Sequence, residues 1–180
     1  IAAGVQDGDR ILDVVVSDGE AEVMLFTREG RAIRFDEGDV PVQGRTARGV
    51  KGISLAPGGA VVGMLLLRRE ASVLTVSDDG SGKRTPASEF PLQKRGGQGT
   101  LIGSGSGKTP PLVAALEVTD EDGVMAVSSG GRVTRIAARD VPLQGRRTQG
   151  KRVVTVASGD RLVEVTRVAG ASDSRRGGGR

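Results

Sequence analysis

The chain has 180 residues, of which 37% are hydrophobic and 27% charged, with a formal net charge of +4 and 29 glycines; this is the composition of a folded protein, not a disordered one. His, Cys, Tyr and Trp are absent and the aromatic residues are Phe26, Phe35 and Phe90, which excludes a Ser-His-Asp triad, a cysteine or tyrosine nucleophile and a His/Cys zinc site. The longest apolar stretch, Ala60 to Leu67, is broken by Gly63 and falls far short of the roughly 20 residues of a membrane-crossing helix, and the opening lacks the pattern of a signal peptide.

In chain order, the first 16 residues read as the end of a preceding repeat, because Gly8-Asp9-Arg10-Ile11-Leu12 returns as Gly159-Asp160-Arg161-Leu162-Val163. With Ile1 at the start, this implies a piece of a longer chain. Residues 17–67 form the first full repeat, with strands expected at Glu22–Thr27, Arg31–Phe35 and Val61–Leu67 and a hairpin turn at Glu29-Gly30. Residues 68–118 form the second, with strands at Ser72–Ser77 and Leu112–Val118, a turn at Asp79-Gly80 and a polar glycine-rich insertion at 103–111 that is expected to be mobile. Residues 119–170 form the third, with strands at Val124–Ser128, Arg152–Val156 and Leu162–Val168. The last ten residues, 171–180, read as a disordered basic tail. The runs are short, β-branched and bounded by Gly, Asp, Ser or Pro. Four such strands per 50 residues match a propeller blade, so the expected fold is all-β, with about three four-stranded blades plus a partial one.

The repeat is sharpest in one segment. Pro41-Val42-Gln43-Gly44-Arg45-Thr46-Ala47-Arg48-Gly49 returns as Pro91-Leu92-Gln93-Lys94-Arg95-Gly96-Gly97-Gln98-Gly99, and again as Pro142-Leu143-Gln144-Gly145-Arg146-Arg147-Thr148-Gln149-Gly150. The windows 41–52, 91–102 and 142–153 carry Arg45, Arg48, Lys51, Lys94, Arg95, Arg146, Arg147, Lys151 and Arg152 with no acidic residue, giving +9, so the rest of the chain sums to 4 − 9 = −5. Equivalent positions in a repeat protein occupy equivalent places on successive units, so these loops should form a row of basic patches. A regular cationic row suits a polyanion, since each Lys or Arg that neutralises a phosphate releases counterions. Glycines beside the charges permit close backbone approach and leave N–H groups for phosphate oxygens. Lys83 and Arg84, upstream of the second copy of the segment, extend the candidate set.

Scarcity of aromatics disfavours single-strand binding, which relies on base stacking, and favours duplex DNA held by its backbone, with little sequence preference and sensitivity to bending. Nine phosphate contacts would give a slope of log K against log salt of roughly −8, and replacing Lys94 and Arg95 together should reduce it by about two.

Gln93-Lys94-Arg95-Gly96-Gly97-Gln98-Gly99 resembles the box QRRGGKG of the C-terminal β-pinwheel domain of the gyrase A protein, agreeing at five of seven positions. Glu22-Val23-Met24-Leu25-Phe26, Gly82-Lys83-Arg84-Thr85 and Gly145-Arg146-Arg147-Thr148-Gln149-Gly150 are similar to further segments of that DNA gyrase domain. The resemblance implies blades with duplex DNA wrapped on a basic rim, biasing strand passage toward negative supercoiling. It also implies a bacterial, cytoplasmic, chromosome-associated setting. The partners would be the gyrase B protein, in an A2B2 holoenzyme, together with the remainder of the gyrase A chain; magnesium and ATP would be bound elsewhere, with no cofactor in this chain. The box sits here in the middle repeat where the family has it in the first blade, so the corresponding domain of topoisomerase IV is the nearest alternative. A protein-binding β-propeller with no nucleic-acid role is a further one.

Two other motifs carry no chemistry. Gly103 to Thr109 has the look of a phosphate-binding loop, but Ile102 stands where the first glycine is required and Pro110-Pro111 follow where a helix should begin. Asp120, Glu121 and Asp122 read as a solvated turn without the spacing of a calcium loop.

Overall fold

The computed structural model describes residues 4–5, 7–67, 71–104 and 110–168; the tail at 171–180 and the centre of the insertion, 105–109, lie outside the described residues. The strands are β1 (Glu22–Thr27), β2 (Arg31–Asp36), β3 (Val61–Leu67), β4 (Ser72–Ser77), β5 (Ser81–Pro86), β6 (Thr100–Leu101), β7 (Leu112–Val118), β8 (Gly123–Ser128), β9 (Val133–Ala137), β10 (Lys151–Arg152) and β11 (Leu162–Val168). They form three antiparallel sheets, ordered β3-β1-β2-β6, β10-β5-β4-β7 and β11-β8-β9. The long strands β3, β7 and β11, each at an edge of its own sheet, are neighbours, and a Cβ on Gly63 of β3 would stand 3.7 Å from the Ala115 backbone of β7.

Local chemistry explains the hairpins. Gly30, Gly80 and Gly131 each hold a φ near +80°, and each donates its N–H back to the last residue of the preceding strand, at 3.0, 3.1 and 2.9 Å. Asp160 serves the same end from a distance: its Oδ1 accepts from Ser129 Oγ at 2.6 Å and Gly130 N at 2.9 Å, pinning the β8–β9 turn to the start of β11. Serine hydroxyl donors at Ser128 and Ser129 hold its carboxyl well below the usual carboxylate range.

Two expectations are corrected. The run 152–156 is not a strand, because Val153 and Val154 both donate to the Gly80 carbonyl, at 2.9 and 3.1 Å; the chain leaves the ladder after Arg152 and Val154 drops into the core. Nor does a repeat supply its own fourth strand. β6, from the second repeat, pairs with β2 of the first, and β10, from the third, pairs with β5 of the second. Each donated strand is preceded by a parallel bridge to the same neighbour, Arg34 to Leu92 and Arg84 to Leu143.

The donated segment also carries a plug. A 3-10 turn (Glu37–Asp39, Ala87–Glu89 or Ala138–Asp140) is followed by one apolar residue, Val40, Phe90 or Val141. Phe90 lies edge-on to Phe26 of β1, with ring centroids 6.2 Å apart, in a core of Met24, Ala32, Val73 and Leu112. Val141 enters the next core, with Leu74, Val76, Val124 and Val165. Val40 has no described sheet to enter and is 40% exposed.

The acidic turn at 120–122 is likewise not solvated throughout. Asp122 is 3% exposed, accepts from Thr119 N at 2.7 Å and pairs with Arg167 at 3.2 Å, while Asp120 pairs with Arg84.

Gly99 offers a test of the donated strand. Its φ is +66° and a Cβ there would lie 2.4 Å from the Ala32 carbonyl of β2, whereas Gly49, at the same point of the first repeat with φ +75°, would meet nothing within 4 Å. Gly99→Ala should therefore cost about 3 kcal/mol, against about 1 kcal/mol for Gly49→Ala, which carries backbone strain alone; thermal unfolding of the two variants measures the difference.

Candidate nucleic-acid interface

The three basic loops are direct neighbours in the fold. The first meets the second where Gly96 N donates to Gly52 O at 2.6 Å and where Ser54 donates to Gly97 O through its N, at 2.8 Å, and to Gly96 O through its Oγ, at 2.7 Å. The second meets the third where Gly103 N donates to Arg146 O at 2.8 Å. Arg45, Arg48, Lys51, Lys94, Arg147, Lys151 and Arg152 are exposed along this row. Lys94, 89% exposed at its side chain, is paired with Asp39 at 3.0 Å.

Other candidates are committed to the protein itself. Arg95 donates from Nε to Asp39 O at 2.7 Å and from Nη1 to Lys51 O at 3.0 Å, spanning both ends of the preceding loop. Arg146 repeats the arrangement one unit on, with Nε to Glu89 O at 3.1 Å and Nη1 to Leu101 O at 2.5 Å. These two guanidinium groups are ties between adjacent loops, each built on the planar fork that lysine lacks. Sequence reasoning missed the anchors, although Asp39, Glu89 and Asp140 recur at offsets of 50 and 51, two residues ahead of each Pro.

Lys83 and Arg84 are corrected from contact residues to buried supports, at 3% and 8% exposure. The Lys83 ammonium sits under the third loop and donates to the carbonyls of Gly145, Arg146 and Thr148 at 3.0, 2.6 and 2.6 Å. Burial pushes its pKa down to about 8; Glu89 opposes this and Arg146 adds to it. Arg84 donates from Nε to Val141 O at 2.8 Å, beside the plug.

The box-like segment is mainly architectural too. Gln93 N donates to Arg34 O at 2.8 Å, the Gly96 N–H is spent on Gly52, the Gly97 carbonyl accepts from Ser54, and Gly99 presses on β2. The Gln98 and Gly99 carbonyls accept from Arg31 Nη1 at 3.5 and 3.3 Å. The Gly96 amide is therefore not free for a phosphate oxygen, as the sequence suggested; what the glycines provide is close loop-to-loop packing.

Removing a tie should loosen the loop it spans without any ligand present. Arg146→Ala is expected to raise amide exchange in residues 89–101 of the DNA-free protein by about tenfold, as loss of charge-assisted hydrogen bonds implies, while Arg147→Ala leaves it unchanged. Hydrogen-exchange mass spectrometry separates the two roles.

Among the described residues no group of three or more acidic side chains could hold a metal ion, and no helix is long and apolar enough to cross a membrane.

Residues 21–68, 71–102 and 124–169 match the family profile described as DNA gyrase C-terminal domain, beta-propeller. The gyrase A protein of Pseudomonas aeruginosa is 40% identical over 168 residues, 93% of this chain and 18% of that protein. Its Salmonella typhimurium counterpart is 37% identical over 94% of this chain and 19% of its own length. The chain thus spans about a fifth of the length of these curated relatives. Among solved structures, the C-terminal domain of DNA topoisomerase IV superposes with a TM-score of 0.87 at 25% identity, covering 93% of this chain and 52% of that one. A DNA gyrase A C-terminal domain gives 0.84 at 28% identity, covering 94% and 58%.

Proposed function

This chain belongs to the DNA gyrase C-terminal domain family, and on that premise we propose that it binds duplex DNA along its row of basic loops. In this reading it serves as the wrapping part of the gyrase A protein of a type IIA topoisomerase and biases strand passage toward negative supercoiling. The observation that carries the reading is the contiguity of the loops: three copies of one segment, hydrogen-bonded in series, carry seven exposed cations. In this reading the row neutralises successive phosphates without reading bases and follows a bent duplex.

The chain has no tyrosine to form a covalent link to a broken strand. Cleavage therefore falls to another part of an A2B2 enzyme in this proposal, which assigns ATP hydrolysis and magnesium binding elsewhere as well. Identity of 37–40% to gyrase A proteins favours the supercoiling enzyme over topoisomerase IV.

The experiment is ligation of a nicked circle in the presence of the protein. Wrapping traps a shift in linking number that grows with protein concentration and fades with salt. Binding without such a shift would leave DNA binding but remove wrapping, and no duplex binding at low salt would remove both.

A further inference from the structure

One face of the second blade differs sharply from its counterpart in the first. Register pairs Val23 with Phe35 and Leu25 with Ile33 in the first blade; at the same places the second pairs Val73 with Thr85 and Thr75 with Lys83. In the first blade these positions make an apolar cluster closed by Ile53. In the second, Leu25 has become Thr75, Ile33 has become Lys83, Phe35 has become Thr85, and Gly103 follows Ile102 where Ile53 follows Gly52.

Beside the exchanged positions lies a cavity of about 250 Å³, between the β4–β5 hairpin, the stem of the insertion and the third basic loop. The corresponding recess of the first blade, beside Thr27 and Gln98, is about 190 Å³. Thr75 and Ser77 line the larger cavity at 4% and 7% exposure, and neither hydroxyl has a hydrogen-bond partner among the described residues. Thr85 Oγ1, on the same face but outside the cavity lining, is the one fully buried side-chain oxygen without a partner among the described residues. The Thr75 and Ser77 hydroxyls therefore face the cavity free to donate to an occupant that carries oxygen atoms.

Charge narrows the occupant. Lys83 and Arg152 both line the cavity; Arg152, paired through its backbone with Ser81, is exposed and its guanidinium has no partner among the described residues. Asp79, the carboxylate among the described lining residues, accepts through Oδ1 from Ser81 N at 2.9 Å and Ser81 Oγ at 2.6 Å and keeps its charge, so two cations against one anion leave the lining net positive. The volume is below the roughly 300–1,000 Å³ of sites for drug-sized ligands but equals about eight water molecules, room for a small hydrated anion.

We propose that this cavity binds a small phosphoryl anion, with the Thr75 and Ser77 hydroxyls and the Gln149 amide donating to its oxygens, Arg152 pairing with it at the mouth and Lys83 supplying fixed positive charge behind. The site does not require that the loops wrap DNA. Two sources share this chemistry: free phosphate or diphosphate, and a backbone phosphate of a duplex lying on the third loop.

Inorganic phosphate and pyrophosphate, titrated at constant ionic strength into the isotope-labelled protein, report on it through amide chemical shifts. Saturable changes confined to the neighbourhood of Thr75, Ser77, Gln149 and Arg152 are expected. They should weaken at least tenfold in T75L/K83I, which copies the filling of the first blade, and in the milder Thr75→Val and Arg152→Gln should that double variant unfold. If free anions give no saturable change yet Thr75→Val and Arg152→Gln each weaken duplex binding, the site is one for a DNA phosphate. If free anions give only weak, linear shifts spread over all surface cations and duplex binding is the same in every variant, the cavity holds water alone and the proposal is overturned. Loss of duplex binding by the wild-type protein, with the phosphate shifts intact, removes the wrapping reading and leaves this one standing.

Discussion

Alanine at Arg45, Arg48, Lys51, Arg147, Lys151 and Arg152 together should abolish duplex binding at 0.1 M salt and, where binding can still be followed at lower salt, flatten the salt slope by about five. All six side chains are exposed, and among the described residues none is tied to another loop. Each that meets a phosphate contributes about 0.9 to the slope, which near 0.1 M salt is roughly an eightfold factor in affinity. Three removed from a single loop should therefore weaken binding roughly several-hundredfold, and the first and third loops should contribute alike. The second loop behaves differently. Lys94 is paired with Asp39 and Arg95 is spent on two carbonyls, so K94A/R95A should lower the slope by no more than about one, not the two that the charges alone suggest. A fluorescence-anisotropy series at several salt concentrations distinguishes these values. Equal slopes for the six-fold variant and the parent would remove the track as the source of affinity.

The largest effect on stability is expected at Phe90. Phe90→Ala should cost about 3–5 kcal/mol, the range for emptying a buried aromatic site, and lower the melting temperature by about 10 °C or more. The ring is 1% exposed and its T-shaped partner is Phe26, so the void opens in the blade before the one whose repeat encodes it. Hydrogen exchange should accordingly rise first in β1 and β2. Val40→Ala, at the same step of the first repeat, should change stability by less than about 0.5 kcal/mol, because Val40 is already 40% exposed. Thermal scans of the pair measure the contrast.

Much of this architecture is legible in the amino-acid order. Alternating β-branched runs between Gly, Asp and Ser locate the long strands: Glu22–Thr27, Val61–Leu67, Ser72–Ser77, Leu112–Val118 and Leu162–Val168 fall where the pattern puts them. The short strands are not legible, because Thr100–Leu101 and Lys151–Arg152 hold only two residues each and their pairing is a property of the neighbouring repeat. At the site, the phase of the charges survives in the fold but their roles divide. Exposure cannot be read from the letter Arg: Arg147 points outward while Arg146, beside it, turns back to Glu89 and Leu101. Lys83 is the hardest to place, since only comparison with Ile33 at the matching step of β2 shows that it stands where a core side chain belongs.

Donation of a plug and a strand to the neighbour upstream has a genetic consequence. An insertion or deletion between Phe90 and Thr100 would throw one anchor out of step with the other while both are held by the same β2 hairpin, so the lesion would be felt in a sheet whose own codons are intact. Whole-unit duplication or loss, cut in any frame, keeps every donor matched to a recipient. Length drift inside a unit does not, and the offsets of 50 and 51 between successive copies of the motif are as narrow as that constraint would make them.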